Sequence, residues 1–101
     1  MGLFDRRRKM KAHKEKAEWK MGLIPTIVEF EDEYMKLITT ATEYIIFYKD
    51  IMDLEVVGNI VNIRTNVKRF SLASWNRREG ADKARLLQSQ ILENMGKSKT
   101  L

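Results

Sequence analysis

Residues 44–72 constrain the fold more than any other stretch, because they carry the two-residue periodicity of β-strands, interrupted at turn-forming positions. Apolar side chains alternate with other residues over residues 52–56 and again over residues 61–65. This is the pattern of strands that bury one face. Gly58-Asn59 separates the two runs and is a two-residue hairpin signal. The stretch therefore predicts an antiparallel strand unit.

Residues 44–48, Tyr-Ile-Ile-Phe-Tyr, open this stretch and are apolar at every position. A strand with this composition is either covered on both faces or has an outer face that meets a partner. The sequence alone leaves both interpretations open, although a covered strand is the more ordinary of the two.

Further strands are predicted on both sides of this unit. Alternation indicates strands over residues 26–30 and 34–40, joined by an acidic turn at residues 31–33, and a last strand around residues 70–72. The total is about six strands. Downstream, Asn76 and its neighbours fit a helix N-cap followed by a capping box. A helical stripe then predicts an amphipathic helix, and its members are Ala84, Leu87, Gln88, Ile91 and Met95. Gly96 is the predicted C-cap glycine that ends this helix.

The N-terminal residues predict a separate element. A thin apolar stripe with many charged neighbours indicates a surface helix over residues 3–21, for which Gly22 is a C-cap and Pro25 blocks continuation. The predicted organisation is a basic helical arm, residues 1–22, and a domain with a C-terminal helix, residues 23–101.

The order of these elements resembles the bacterial pleckstrin-homology-like (PH-like) domains. The resemblance rests on the apolar strand running into residues 48–51, the alternation over 52–56, the segments at 61–65 and 70–72, and the closing helix. It implies an α+β fold, with a bent antiparallel sheet or open barrel of about six strands and a C-terminal amphipathic helix. The N-terminal basic helix, which the residues themselves predict, is not part of the family pattern. Phosphoinositide-binding relatives have a basic cluster on the first strand–strand loop, whereas the first loop predicted here is the acidic turn at 31–33.

Charge is distributed unevenly along the chain. Residues 5–20 contain eight basic and three acidic side chains, which accounts for the whole net charge of +5. Residues 26–57 contain two basic and eight acidic side chains, and residues 58–101 contain nine basic and three acidic. We therefore expect an electrically polarised domain with a cationic arm.

No group of residues predicts a reaction. The chain has no cysteine, so thiolate metal sites and disulfides are excluded, and its one histidine, His13, lies in the charged arm without an orienting carboxylate. No acidic loop has the spacing of a calcium site, and the scattered glycines form no phosphate loop. We expect a non-enzymatic protein with no catalytic residue, cofactor or metal ion.

Two binding functions remain. The first is a protein-interaction module that binds a protein partner or self-associates through its sheet. The second is electrostatic binding of an anionic membrane surface or nucleic acid by the arm and by basic residues of the domain. The candidate interface residues are Tyr44, Ile46, Phe47, Tyr48 and Trp75. The candidate polyanion-binding residues are Arg6, Arg7, Arg8, Lys9, Lys11, Lys14, Arg64, Lys68, Arg69, Arg77 and Arg78.

The sequence also bears on location. No apolar run reaches the length of about 18 residues that a membrane span requires, and the basic N-terminus is not followed by the apolar region of a secretory signal. We expect a cytoplasmic protein, with peripheral membrane contact as an option.

Overall fold

A computed structural model describes residues 17–100 of the chain. Seven strands precede one helix: β1 (Trp19–Met21), β2 (Ile24–Phe30), β3 (Tyr34–Thr39), β4 (Glu43–Phe47), β5 (Ile51–Val57), β6 (Ile60–Thr65), β7 (Arg69–Ser74) and α1 (Gly80–Thr100). A short 3-10 helix, Tyr48–Asp50, joins β4 to β5. The fold class is α+β, and the predicted count of six strands is one too low.

All seven strands form one antiparallel sheet in the order β4-β3-β2-β1-β7-β6-β5. The sheet is strongly curled: the rings of Tyr44 on β4 and Phe70 on β7 lie 5.5 Å apart between centroids, although three strands separate them in this order. In a flat sheet, strands four places apart would lie roughly 19 Å apart. The result is a half-barrel whose inner face holds the core, with α1 packed over β5, β6, β7 and the 3-10 helix.

The first strand corrects the sequence analysis, which placed residues 19–21 at the end of a helical arm. Trp19 pairs with Thr26 on one side and with Ser74 on the other, so β1 joins the two halves of the sheet. Gly22 has φ +63°, the left-handed conformation that both a helix C-cap and a hairpin turn require. Gly22 in the sequence was therefore compatible with either a helix end or a hairpin turn. A strand of three residues is also too short to show a periodic pattern. Ala17 and Glu18, also part of the predicted helix, have no regular secondary structure, and residues 1–16 of the predicted arm lie outside the described residues.

The predicted Gly58-Asn59 hairpin is confirmed, with Val57 paired to Ile60. Gly58 has φ +60°, whereas no residue other than glycine among those described has a positive φ. A positive φ at the first central position alone is typical of a type II′ turn. The acidic turn at residues 31–33 connects β2 to β3 and is thus the second strand–strand loop. The first is the Gly22-Leu23 turn, which also lacks basic residues.

The predicted Asn76 cap forms, but α1 begins only at Gly80 and ends later than predicted. The Asn76 side-chain oxygen accepts hydrogen bonds from the N–H groups of Arg78 (3.0 Å) and Glu79 (2.8 Å), which is the capping arrangement that the sequence indicated. The N–H of Asn76, however, donates to the Ser74 hydroxyl and not to the Glu79 carboxylate. Gly96 was predicted to end the helix, but α1 continues through it to Thr100.

Two turns between strands are built on threonine in the same way. The Thr39 hydroxyl donates to the carbonyl of Thr42 (3.0 Å) and accepts from the N–H groups of Ala41 and Thr42. The Thr65 hydroxyl does the same with Val67 and Lys68. Thr39 is buried, whereas the bonds of Thr65 are exposed to water.

The burial difference predicts unequal effects of one substitution. We expect Thr39→Val to lower the free energy of unfolding by about 1–3 kcal/mol, because the N–H groups of Ala41 and Thr42 lose the acceptor that the buried Thr39 side chain provides, while the side-chain volume is kept. Thr65→Val is the matched control. Water can take the place of the exposed Thr65 hydroxyl, so the free energy of unfolding should fall by only about 0.5–1 kcal/mol. Urea unfolding of the three proteins tests this; equal effects would mean that Thr39 is not buried.

Candidate functional site

Within residues 17–100, the half-barrel leaves two strands, β4 and β5, with a neighbour on one side only. Such an edge exposes every second N–H and C=O pair of its backbone and is a template for pairing with another chain. The two edges differ in what lies next to them, and this difference identifies the candidate site.

The edge of β5 is partly covered by α1. The side-chain amide of Gln88 donates to the carbonyl of Leu54, in the middle of the strand, at 3.3 Å. The register of β5 is also irregular between Ile51 and Asp53, which bends the strand away from regular pairing. Both features are ways in which proteins blunt a sheet edge. A shallow groove remains between the strand and the helix, with Met52 and Leu92 exposed along it.

The edge of β4 has no such cover from any of the described residues. Within residues 17–100, no hydrogen bond reaches the side of β4 that faces away from β3. Ile45 and Phe47 project from its outer face and are 53% and 41% exposed. Tyr34, opposite Phe47 on β3, packs edge-on against that ring with centroids 5.6 Å apart. We call this edge, with Tyr34, Ile45 and Phe47, the β4 surface.

Both ends of β4 are held in place. The Thr39 turn fixes the start of the strand. At its end, the N–H of Tyr48 donates to the carbonyl of Glu33 (3.1 Å), and the Tyr48 hydroxyl donates to the carbonyl of Glu31 (2.8 Å). These bonds tie the strand to the acidic β2–β3 loop. The β4 surface is therefore pre-organised, which lowers the entropy lost when a partner binds.

Within the described residues, the strand at residues 44–47 is covered on its inner face and exposed on its outer face, and a partner on that outer face stays a prediction. Ile46 (2% exposed) and Tyr48 (3%) point into the core, and Tyr44 packs inward against Phe70, so these three predicted interface residues do not present a free surface. Phe47 is exposed as an interface requires. Ile45, which the site prediction omitted, is the more exposed of the two outward residues. Because every residue of the run is apolar, no alternation of apolar and polar residues shows which positions face the core and which face outward.

The basic residues predicted to bind polyanions fall into separate groups. Arg64 and Arg69 are directly opposite each other on β6 and β7, with Lys68 in the adjoining turn. Arg77 and Arg78 follow the other end of β7, roughly 17 Å away along five residues of strand. All five are exposed. The single patch that their closeness in sequence suggested is thus two patches, and the six candidates between Arg6 and Lys14 lie outside the described residues.

Trp75 belongs to the second of these groups and also has a structural role. Its indole N–H donates to the carbonyl of Trp19 at 2.9 Å, and its backbone N–H donates to Glu18, which fixes β1 against the end of β7. The Lys20 ammonium lies 4.8 Å from the ring centroid. The ring is half-exposed, but it does not adjoin Arg64 and Arg69.

The acidic side chains of the described residues do not converge. Across residues 17–100, no three histidine, cysteine, aspartate or glutamate side chains lie close enough to hold a metal ion. In the same residues, no helix combines the length and the apolar character needed to cross a membrane.

Comparison with known proteins adds no identification: no protein-family model, no curated protein and no solved structure matches this chain. The case for a function therefore depends on the surface itself.

The Tyr48 hydroxyl gives a test of how β4 is held. Burial, and then the nearby Glu31 and Asp32 carboxylates, raise the Tyr48 pKa above its usual value. We expect Tyr48→Phe to lower the free energy of unfolding at neutral pH by about 1 kcal/mol, through loss of the bond to Glu31. Tyr34→Phe, whose hydroxyl has no hydrogen bond within the described residues, should have little effect.

The raised pKa of Tyr48 determines how the stability difference between the wild type and Tyr48→Phe depends on pH. The folded state holds the phenol proton more tightly than the unfolded chain, so this contribution is complete below the unfolded pKa of about 10 and is lost as pH rises through the folded pKa. The stability advantage of the wild type over Tyr48→Phe should shrink above about pH 10. Unfolding curves from neutral to alkaline pH measure it; a constant difference would contradict burial of the hydroxyl.

Proposed function

We propose that this chain is a non-enzymatic, PH-like protein-interaction module that binds through the β4 surface. The observation that carries the proposal is a pre-organised edge strand whose outer side is unpaired within the described residues and which has two exposed apolar side chains, Ile45 and Phe47, on its outer face. Backbone pairing supplies affinity in such a contact, and the side-chain pattern supplies specificity. The half-barrel with a C-terminal helix is compatible with the PH-like architecture that the sequence resembles.

Charge supports the same surface. The strands that form it lie in the acidic half of the domain, with Glu29 and Lys36 beside Ile45 across β2 and β3 and Glu43 at the start of β4. An apolar centre with charged neighbours is the usual anatomy of a protein interface. Charges at its margin favour a partner with a complementary pattern.

The test compares equivalent substitutions on the two sheet edges. Ile45→Lys places a charge on the open edge, and Val57→Lys places one at an equally exposed position (54%) on β5. The proposal expects proteins captured by the wild-type chain at low concentration to be retained by Val57→Lys and lost by Ile45→Lys, as read by mass spectrometry. Loss with Val57→Lys alone would assign binding to the β5 groove and overturn the proposal.

Electrostatic binding of a polyanion is the second candidate, supported by the exposure of Arg64 and Arg69 on one face and by the cationic N-terminal sequence. Neither arginine has an ion pair within the described residues, where the ion pairs are Arg85–Asp82 and Lys97–Glu93. A phosphate-rich surface would therefore meet side chains that are not already neutralised.

Two charge-removing variants of the full chain separate the sources of any such binding. If the N-terminal cations bind polyanions, changing Arg6, Arg7 and Arg8 to Gln should weaken binding to anionic vesicles and to DNA, with a smaller slope of affinity against salt. Changing Arg64 and Arg69 to Gln tests the β6–β7 patch in the same assays. No retention of the wild type at low salt would eliminate this candidate.

A further inference from the structure

We propose that the partner of the β4 surface is a second copy of this chain, paired β4 to β4 in an antiparallel register centred on Ile45. The inference rests on the proposed function and makes it specific. A twofold contact requires a surface that is complementary to itself. The sequence Glu43–Phe47 meets this requirement in one register better than in the others.

The register centred on Ile45 pairs all five residues of each strand. It places Ile45 opposite Ile45 of the second copy and Glu43 opposite Phe47, with these outward side chains on one face, while Tyr44 faces Ile46 on the other. A shift of the centre by one residue pairs only three strand residues, because the chain then enters the 3-10 helix at one end or the Thr39 turn at the other.

Charge favours the same register. The Lys49 ammonium lies 5.9 Å from the centroid of the Phe47 ring. A copy that brings Glu43 opposite Phe47 therefore brings the Glu43 carboxylate next to the Lys49 ammonium. The twofold axis produces this contact twice. Within residues 17–100, neither Glu43 nor Lys49 has an ion pair in the isolated chain, so the contact forms without breaking another.

The contact is small, so the dimer should form and dissociate readily. A five-residue edge and two half-exposed apolar side chains per copy fall below the size of a standard stable interface. We expect an association that depends on concentration between micromolar and millimolar chain, measured by sedimentation velocity on the full-length protein.

Substitutions provide the energetic test. Ile45→Lys sets two ammonium groups opposite each other and should weaken the dimer at least about tenfold, whereas Val57→Lys should leave it unchanged. Glu43→Lys and Lys49→Glu should each weaken the dimer, and the double variant should recover much of the loss, because the pair is re-formed with its charges exchanged.

Cross-linking provides the geometric test, since the chain has no cysteine of its own. Ile45→Cys should be cross-linked between copies by a short bifunctional thiol reagent, because side chains directly opposite in an antiparallel pair have Cβ atoms about 4.5–5.5 Å apart. Val57→Cys should not. Preferential cross-linking through residue 57 would overturn the β4 dimer in favour of the β5 edge.

A wild-type chain that stays monomeric up to millimolar concentration would also overturn the inference. That result leaves the proposed function to its own test, in which a different protein is captured through Ile45. The opposite result is also informative. If Ile45→Lys weakens the dimer but does not change which other proteins the chain captures, the dimer is upheld and a separate partner at this surface is rejected.

Discussion

Replacing Ile91 by alanine should destabilise the domain by about 2–5 kcal/mol, the expected range for removing most of a fully buried aliphatic side chain. Ile91 is completely buried, and with Ala84 and Leu87 it forms the stripe by which α1 packs on the half-barrel. Since α1 contacts β5, β6 and β7, the cavity would open between the two layers of the fold. The melting temperature should fall by roughly 10 °C or more.

The adjacent residue is the control for this prediction. Leu92 is 52% exposed on the same helix, and Leu92→Ala should change stability by no more than about 0.5 kcal/mol. Ile91→Val, expected to cost about 0.5–1.5 kcal/mol, keeps the effect measurable if the alanine variant does not fold. Thermal unfolding followed by circular dichroism compares all three. Similar effects at positions 91 and 92 would contradict the orientation of the helix.

Alternating residues predicted most of the sheet, because five of its strands bury one face and expose the other. The pattern over residues 52–56 became β5 and that over 61–65 became β6, joined at the expected glycine. The stripe at Ala84, Leu87 and Ile91 likewise predicted the inner face of α1. In these segments, local periodicity and tertiary burial agree.

Periodicity does not predict the structure of a segment where its position in the sheet decides that structure. β1 has three residues, too few for a pattern, and its pairing with β7 joins residues more than fifty apart along the chain. The outward position of Ile45 has the same origin. An apolar run does not show which of its residues face the core. Only the pairing with the buried Leu37 and Met35 on β3 shows that Tyr44 and Ile46 face inward.

The dependence on position in the sheet also explains why the sequence predicted only part of the candidate site. The sequence indicated that residues 44–48 have either a covered outer face or a partner. It could not show that α1 lies over β5 and not over β4, because the direction in which the sheet curls depends on all seven strands. The cover over Leu54 and the absence of a similar cover within the described residues on β4 follow from that curl.

Replacing Gly80 by alanine should destabilise the domain, although alanine has the higher helix propensity, because the added Cβ meets neighbouring atoms. A Cβ at this buried position would lie 2.8 Å from the Cβ of Asn59 and 3.5 Å from that of Ser74. Asn59 cannot move freely, since its side-chain amide donates to the Ser74 carbonyl (3.1 Å) and its own carbonyl accepts from the Ser74 N–H (3.0 Å). Glycine at 80 therefore lets the start of α1 approach the β5–β6 hairpin.

We expect Gly80→Ala to lower the free energy of unfolding by about 1–3 kcal/mol, because forced overlap with Asn59 exceeds the gain in helix propensity. Gly96 is the matched control: it lies in the same helix, and a Cβ there would meet nothing within 4 Å. Gly96→Ala should raise stability by about 0.5–1 kcal/mol. Chemical denaturation measures both changes.

A third variant shows whether the overlap with Asn59 is the cause. Combining Gly80→Ala with Asn59→Gly removes the opposing Cβ, so the double variant should be more stable than the sum of the two single effects predicts. Additive effects would mean that the helix start does not touch the hairpin. A gain for Gly80→Ala equal to that for Gly96→Ala would mean that propensity alone governs both positions, and α1 would then not be seated on β5 and β6 as described.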